Sequence, residues 1–386
     1  MSLQADFKFF TNSQFGYNST RFSYAWNRDR CPLAKPEALS RHPIAAWWQE
    51  PCGGREVLRV ALPLVVSTMS WTVMTYVDRM FLFQESGAAM AASFSASMIW
   101  FAAFCLLLGI CTYVSTFVSQ YHGDRQPELI GPAVWQGVWL AGLSLPLVVM
   151  LIPLAPTIFR LTGHSDQIAK METIYFQILC LGGPGLLVAQ ALSCFYSGQG
   201  RTWIVMLVDA GVTLVNVVLD YWWIFGMAGF PAMGIAGAGW ATVAALWLKT
   251  LIYLVLVMQR SHRRRFSTAV CRFNRRLCGR LVYYGGPNGV QLLLEVLGFT
   301  VFIVLIGRLG DLEAEATTLA FSINTVSFMP IWGFGLAAGI LVGQRLGENR
   351  DDLAARATWN TYWISLVYIA LVTAMYVWTP EVFLFG

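Results

Sequence analysis

Residues 107–125, LLGICTYVSTFVSQYHGDR, are answered 224 positions later by residues 331–349, IWGFGLAAGILVGQRLGEN, with Gly109/Gly333, Gln120/Gln344 and Gly123/Gly347 in the same places. Working outward at that one offset, Pro63/Pro287, Trp135/Trp359, Trp139/Trp363, Pro156/Pro380 and Phe159/Phe383 also coincide, with no gap. Rare residue types rarely coincide so often by chance. A long-period repeat in an apolar chain marks a membrane protein built from two related halves around a central path.

The composition agrees. The 386 residues are 56% hydrophobic and 12% charged, whereas a soluble domain has roughly a quarter of its residues charged. A bilayer crossing needs about 20 apolar residues in a helix. Nine stretches satisfy this: 60–82, 93–118, 133–157, 174–196, 203–225, 234–257, 281–306, 316–342 and 359–378. None reads as the short, alternating strand of a membrane barrel.

Charge placement orients the spans. Arginine and lysine fall in the first 59 residues and in the loops after spans two (Arg125), four (Arg201), six and eight (Arg345, Arg350, Arg356). The loop after span six alone holds Arg260, Arg263, Arg264, Arg265, Arg272, Arg275, Arg276 and Arg280; the intervening loops hold only Arg160, Lys170 and Arg308. By the positive-inside rule the amino terminus and the even-numbered loops are cytoplasmic.

The organisation expected is a poorly ordered cytoplasmic tail (1–54), six spans (55–258), an Arg-rich cytoplasmic linker (259–280) and three further spans (281–386). Six intervening spans make the repeat parallel, with the halves related about the membrane normal. If the first half ends at residue 260, its equivalent falls at position 484, about 98 beyond Gly386. A full second half would bring the total to twelve spans, so a truncated gene, a wrong boundary or a fragment is expected. The turns at His122-Gly123-Asp124-Arg125 and Leu346-Gly347-Glu348-Asn349-Arg350 are equivalent, with the glycines expected as left-handed helix ends.

Enzyme chemistry finds little support. The eight cysteines show no zinc-ligand spacing, the four histidines lie in the tail or loops, and no HExxH, GxSxG or P-loop pattern occurs. Charges within hydrocarbon are costly and therefore functional candidates. Six occur: Asp78, Arg79, Asp209, Asp220, Lys249 and Glu295. Lys249 is expected to snorkel to the cytoplasmic surface. On span five, Asp209, Thr213, Asn216 and Asp220 follow i, i+4, i+7, i+11 and line one helix face. Asn216 and Asp220, one turn apart, can offer amide and carboxylate oxygens to one small cation; the alternative is a hydrogen-bonded stripe that holds helices together. That alternative weighs most for Asp209, near the cytoplasmic end. Asp78 in span one and Glu295 in span seven could each face a central cavity and exchange a proton.

These residues resemble the multidrug and toxic compound extrusion (MATE) transporters over residues 55–386. The similar passages are Ala61-Leu62-Pro63 with Val77-Asp78, Gln120 to Asp124, Asn216 to Asp220 followed by Ile224-Phe225-Gly226, Gly234 to Thr242 and Gln291 to Glu295. The resemblance implies an all-α polytopic membrane protein, a two-lobe bundle of twelve helices of which nine are present. It implies export of cationic or amphipathic drugs in exchange for H+ or Na+, with no other cofactor. By motif match, Asp78, Asn216, Asp220 and Thr242 would form the cation site, Na+ included, and Glu295 the acid of the second lobe; Asp209, Thr213 and Gln291 are secondary candidates. Arg79 departs from the small or polar residue usual there. The partners expected are the small-molecule substrate and membrane lipids, with no nucleic acid, and the chain is expected to be a monomer in the bacterial inner membrane. Two other readings stay open: a lipid-linked precursor flippase of the same superfamily, and a membrane fragment that does not transport.

Overall fold

The computed structural model describes residues 47–162, 164–227, 229–307 and 311–378. The tail, apart from its last residues, lies outside the described residues, as do Arg308, Pro380 and Phe383. The remainder is helical: α1 (Gly54–Glu85), α2 (Gly87–Thr112), α3 (Val114–Gly123), α4 (Ile130–Ala141), α5 (Ser144–Leu161), α6 (Asp166–Ser197), α7 (Thr202–Phe225), α8 (Ile235–Val257), α9 (Arg260–Phe266), α10 (Arg275–Gly307), α11 (Asp311–Gly347) and α12 (Asp351–Trp378).

Among the described residues, eight helical stretches are long and apolar enough to cross a bilayer: Gly54–Glu85, Gly87–Gly123, Pro127–Leu161, Asp166–Ser197, Thr202–Phe225, Ile235–Val257, Ser327–Gly347 and Asp351–Trp378. They overlap eight of the nine expected stretches, 316–342 only from Ser327 onward, and 281–306 is not among them. That segment lies in α10, which is a 33-residue helix but is diluted by Gly285-Gly286-Pro287-Asn288-Gly289, Gln291 and Glu295.

The hub of the first six spans is α6, with 83% of its apolar window buried, against 33–44% in the other five. Glycines make this possible. A methyl group on Gly183 would stand 2.3 Å from the Phe104 ring of α2, so that ring packs directly on the α6 backbone, a use of small residues usual in membranes. The α7–α8 connection turns at Gly226, whose φ of 71° closes α7 as a left-handed cap.

The repeat appears as reciprocal contacts. A Cβ on Gly123 would lie 2.0 Å from Gln344 O, and one on Gly347 2.2 Å from Gln120 O. Likewise Gly109 abuts the Gly289 backbone and Gly333 that of Val65, and all four pairings interchange at the same offset of 224. A local two-fold therefore runs between the halves. The expectation of left-handed glycines at these turns is corrected. The positive φ values fall two residues later, on Arg125 (56°) and Asn349 (57°), because Gly123 and Gly347 serve close backbone approach instead.

The seam between halves runs from the arginine-rich ends of the helices to Thr68, whose hydroxyl donates to Met329 O at 3.2 Å, and to Gly109, whose carbonyl accepts from Asn288 Nδ2 at 2.6 Å. Polar groups close its basic end. Arg345 donates to Glu56 Oε1 (2.5 Å), Glu348 Oε2 (2.8 Å) and Cys52 Sγ (3.2 Å). Asn360 Nδ2 donates to Cys52 O at 2.6 Å, and Arg356 pairs with Glu50. Beneath them Val57, Val60, Ala61 and Leu64 pack on Phe334, Ala337, Ile340 and Leu341. The Arg-rich linker is strapped to α4: Trp135 and Trp139 donate to Thr268 O and Cys271 O at 2.8 and 2.9 Å. Their repeat equivalents Trp359 and Trp363 are exposed.

Candidate functional site

The polar stripe of α7 faces inward. Asn216 and Asp220 are fully buried and Thr213 is 9% exposed, while Leu214 on the far face is 69% exposed. Against Asn216 and Asp220 stand Asp78 from α1 and Thr242 from α8, both buried. Three helices thus converge on one site, with α1 and α8 packed on either side of α7.

The Asp78 and Asp220 carboxyls meet side chain to side chain, with Thr242 beside Asp78. A carboxyl–carboxyl contact becomes a hydrogen bond only when one carries a proton. With both ionised, Asp78 Oδ1, both Asp220 oxygens and both Asn216 side-chain polar atoms have no hydrogen-bond partner among the described residues. Each orphaned group costs about 1–3 kcal/mol, and more when charged. Thr242 Oγ1 lies within hydrogen-bond reach of both Ala238 O, at 3.0 Å, and the Asp78 carboxyl. Chemically, such a set is suited to a proton or to a hard cation bound by oxygens. Arg79 does not neutralise it by direct pairing; its guanidinium lies 4.7 Å from the centre of the Phe94 ring, a cation–π contact.

The other sequence candidates lie elsewhere. Asp209 is ion-paired, with Lys249 Nζ 2.8 Å from Oδ1, and also accepts from Ser67 and Tyr253. The snorkelling expected of Lys249 is thereby corrected: its ammonium ends on an acid of the neighbouring helix. Thr213 donates to Ser70 O at 3.3 Å, joining α7 to α1. Glu295 and Gln291 are both exposed on α10, hydrogen-bonded to each other at 2.9 Å. They are not part of the α1–α7–α8 cluster.

Sequence reasoning missed Tyr175 and Ser97. Tyr175 is 4% exposed, hydrogen-bonds Ser97 and lies within the electrostatic reach of Asp78, Arg79 and Asp220. It missed Glu172 as well, fully buried on the same helix and bound to His164 Nδ1 at 2.9 Å. The signal was available in the heptad spacing of Glu172, Tyr175 and Leu179.

A helical membrane bundle with two-fold related halves and a buried, incompletely satisfied acid pair has the architecture of a secondary transporter. The chain belongs to the MatE family: the family model matches residues 63–222 and again 287–385, two copies whose starts are 224 apart. It is 31% identical over 299 residues to the multidrug resistance protein PmpM of Pseudomonas aeruginosa, covering 76% of this chain and 62% of that protein. To the probable multidrug resistance protein NorM of Pasteurella multocida it is 27% identical, covering 83% and 69%. The chain thus spans less than two thirds of PmpM. In fold it resembles an outward-facing MATE family transporter of the MOP superfamily (TM-score 0.78, 18% identity, 90% of this chain and 76% of that one). It also resembles the eukaryotic MATE transporter AtDTX14 (TM-score 0.74, 19% identity, 85% and 75%).

Proposed function

We propose that the protein is a cation-coupled antiporter that exports cationic or amphipathic drugs by alternating access, with H+ or Na+ bound by Asp78, Asn216, Asp220 and Thr242. The observation that carries this reading is the buried set of orphaned oxygens, which a proton or a small cation would complete. Membership of the MatE family supports export, and the names of PmpM and NorM support drugs as the substrate class. In this reading α10 is the seventh of nine spans, residues 55–258 and 281–386 are the two lobes, and the arginine-rich end is cytoplasmic. The seam at that end then makes this the state closed to the cytoplasm. Glu295, exposed on α10, is assigned to the second lobe's side of the substrate path, with Gln291 as its hydrogen-bond partner.

The test is drug susceptibility in an efflux-deficient bacterial host. Expression of the chain is expected to raise resistance to a lipophilic cation, and Asp220→Asn to abolish the gain at equal membrane expression. Equal resistance with and without the substitution would overturn the reading.

A further inference from the structure

A second titratable pair, Glu172 of α6 and His164 in the connection just before it, lies away from the seam and away from the cation cluster's own helices. Glu172 is completely buried, and its Oε2 has no hydrogen-bond partner among the described residues. Its Oε1 is 2.9 Å from His164 Nδ1, and the His164 side chain is 45% exposed. The pair thus joins solvent to the interior of the first six spans. One turn further along α6 stands Tyr175, buried, hydrogen-bonded to Ser97 of α2 and facing Asp78 and Asp220. Residues three apart on a helix are neighbours on one face. Tyr175 thus shares a face of α6 with Glu172 and lies beside the acid pair.

The surroundings of Glu172 are otherwise nearly free of charge. Of the helices packed on α6, α2 and α4 carry no charged residue, α3 carries only the titratable His122, α5 only Arg160, α8 only Lys249, and α7 Asp209, which is paired with Lys249, and Asp220 of the acid pair. Asp166 and Lys170 on α6 itself are exposed, and Glu85, at the end of α1, lies against Gly234 at the start of α8. Arg79 of α1 faces Tyr175 rather than Glu172. His164 is thus the group placed to exchange a proton with Glu172.

We propose that His164 and Glu172 form a proton port on the outer side of the first lobe, feeding the Asp78/Asp220 pair through Tyr175; this rests on the antiport reading above and commits its coupling ion to H+. A proton from outside water adds to His164 Nε2 while the Nδ1 proton passes to Glu172 Oε1. The imidazole left as the Nε2–H tautomer resets by exchange with solvent. Glu172 then releases its proton to the Tyr175 hydroxyl as that hydroxyl gives its own to the acid pair, so the phenol never ionises. The ion reaches its site through the lobe and not through the cleft that carries drug, so bound drug does not block it.

The test uses the full chain in proteoliposomes, with ethidium as substrate, recording proton counterflow by a pH-sensitive dye. Glu172→Gln keeps the side-chain volume and a hydrogen bond to His164 but cannot carry a proton. It is expected to slow counterflow about tenfold or more, with ethidium affinity and the proton-to-drug ratio unchanged. His164→Ala is expected to slow it too, and imidazole in the outer buffer to restore the rate. Such rescue would not follow from loss of a structural contact. A wild-type rate in Glu172→Gln, a His164→Ala defect insensitive to imidazole, or exchange driven by Na+ with no proton movement would each overturn the port. If Glu172→Gln fails to fold, the exposed His164→Ala decides alone. Failure of the underlying reading looks different: Asp220→Asn would then leave counterflow intact, whereas failure of the port alone leaves Asp220→Asn dead and Glu172→Gln fast.

Discussion

A methyl group added at Gly347 should force the two halves apart at the basic end. Its Cβ would stand 2.2 Å from Gln120 O and 3.0 Å from Asp124 N, both backbone atoms. No rotamer change relieves such a clash. An ordinary carbon-to-oxygen approach is about 3.3–3.6 Å, so the halves must separate locally by about 1 Å. Overpacking of this kind costs about 1–3 kcal/mol, and in the alternating-access reading, where opening to the cytoplasm parts this contact, the cost falls on the closed state. The balance between closed and open then moves by roughly 5- to 150-fold. Cys52 supplies the readout. It is fully buried in the seam, beside Arg345, and burial pushes its thiol above the ordinary value, while the Arg345 charge pulls it down less strongly. In a chain whose other cysteines are replaced, modification of Cys52 by a membrane-impermeant maleimide at fixed pH reports opening of that end. Gly347→Ala should accelerate modification by a factor in the stated range, and Gly123→Ala, its repeat equivalent, should do the same. An unchanged rate in a folded, membrane-inserted Gly347→Ala protein would refute the assignment of this contact as the closing surface.

Further expectations concern single groups. Lys249→Met should lower thermal stability in detergent by about 1–3 kcal/mol, because it leaves the half-buried Asp209 with its hydrogen bonds from Ser67 and Tyr253 but no counter-charge, and adding Asp209→Asn should recover much of the loss; a double variant no better than the single would exclude the ion pair. Glu295→Gln should change equilibrium ion binding at the Asp78/Asp220 cluster by no more than about twofold, the additivity expected of separated sites. A tenfold change in isothermal titration would place the two sites in direct contact.

The spans and the repeat could be read directly because both depend on residue type along one helix or at one offset. The eight repeated identities anticipated contacts as well: Gly109, Gln120, Gly123 and their equivalents meet across the seam. The α7 stripe was legible for the same reason, since helical periodicity alone places Asn216 and Asp220 on one face. Pairings between helices were not. Lys249 finds Asp209 across 40 residues of sequence, and nothing in either span says how the helices are rotated. Glu172 fell outside the apolar stretch beginning at 174, although α6 starts at Asp166 and buries it. The glycines of the two basic-end turns were assigned to backbone conformation when their role is contact, a distinction visible only once the opposite backbone is in place.

The central claim is that the buried oxygens of Asp78, Asn216, Asp220 and Thr242 bind the ion whose movement is exchanged for drug. The most direct measurement is ethidium-evoked counterflow of H+ or Na+ in proteoliposomes containing the wild-type chain or Asp220→Asn. The wild type should show counterflow that saturates with ethidium, and Asp220→Asn should show none while still binding ethidium. Undiminished counterflow in Asp220→Asn would contradict the account.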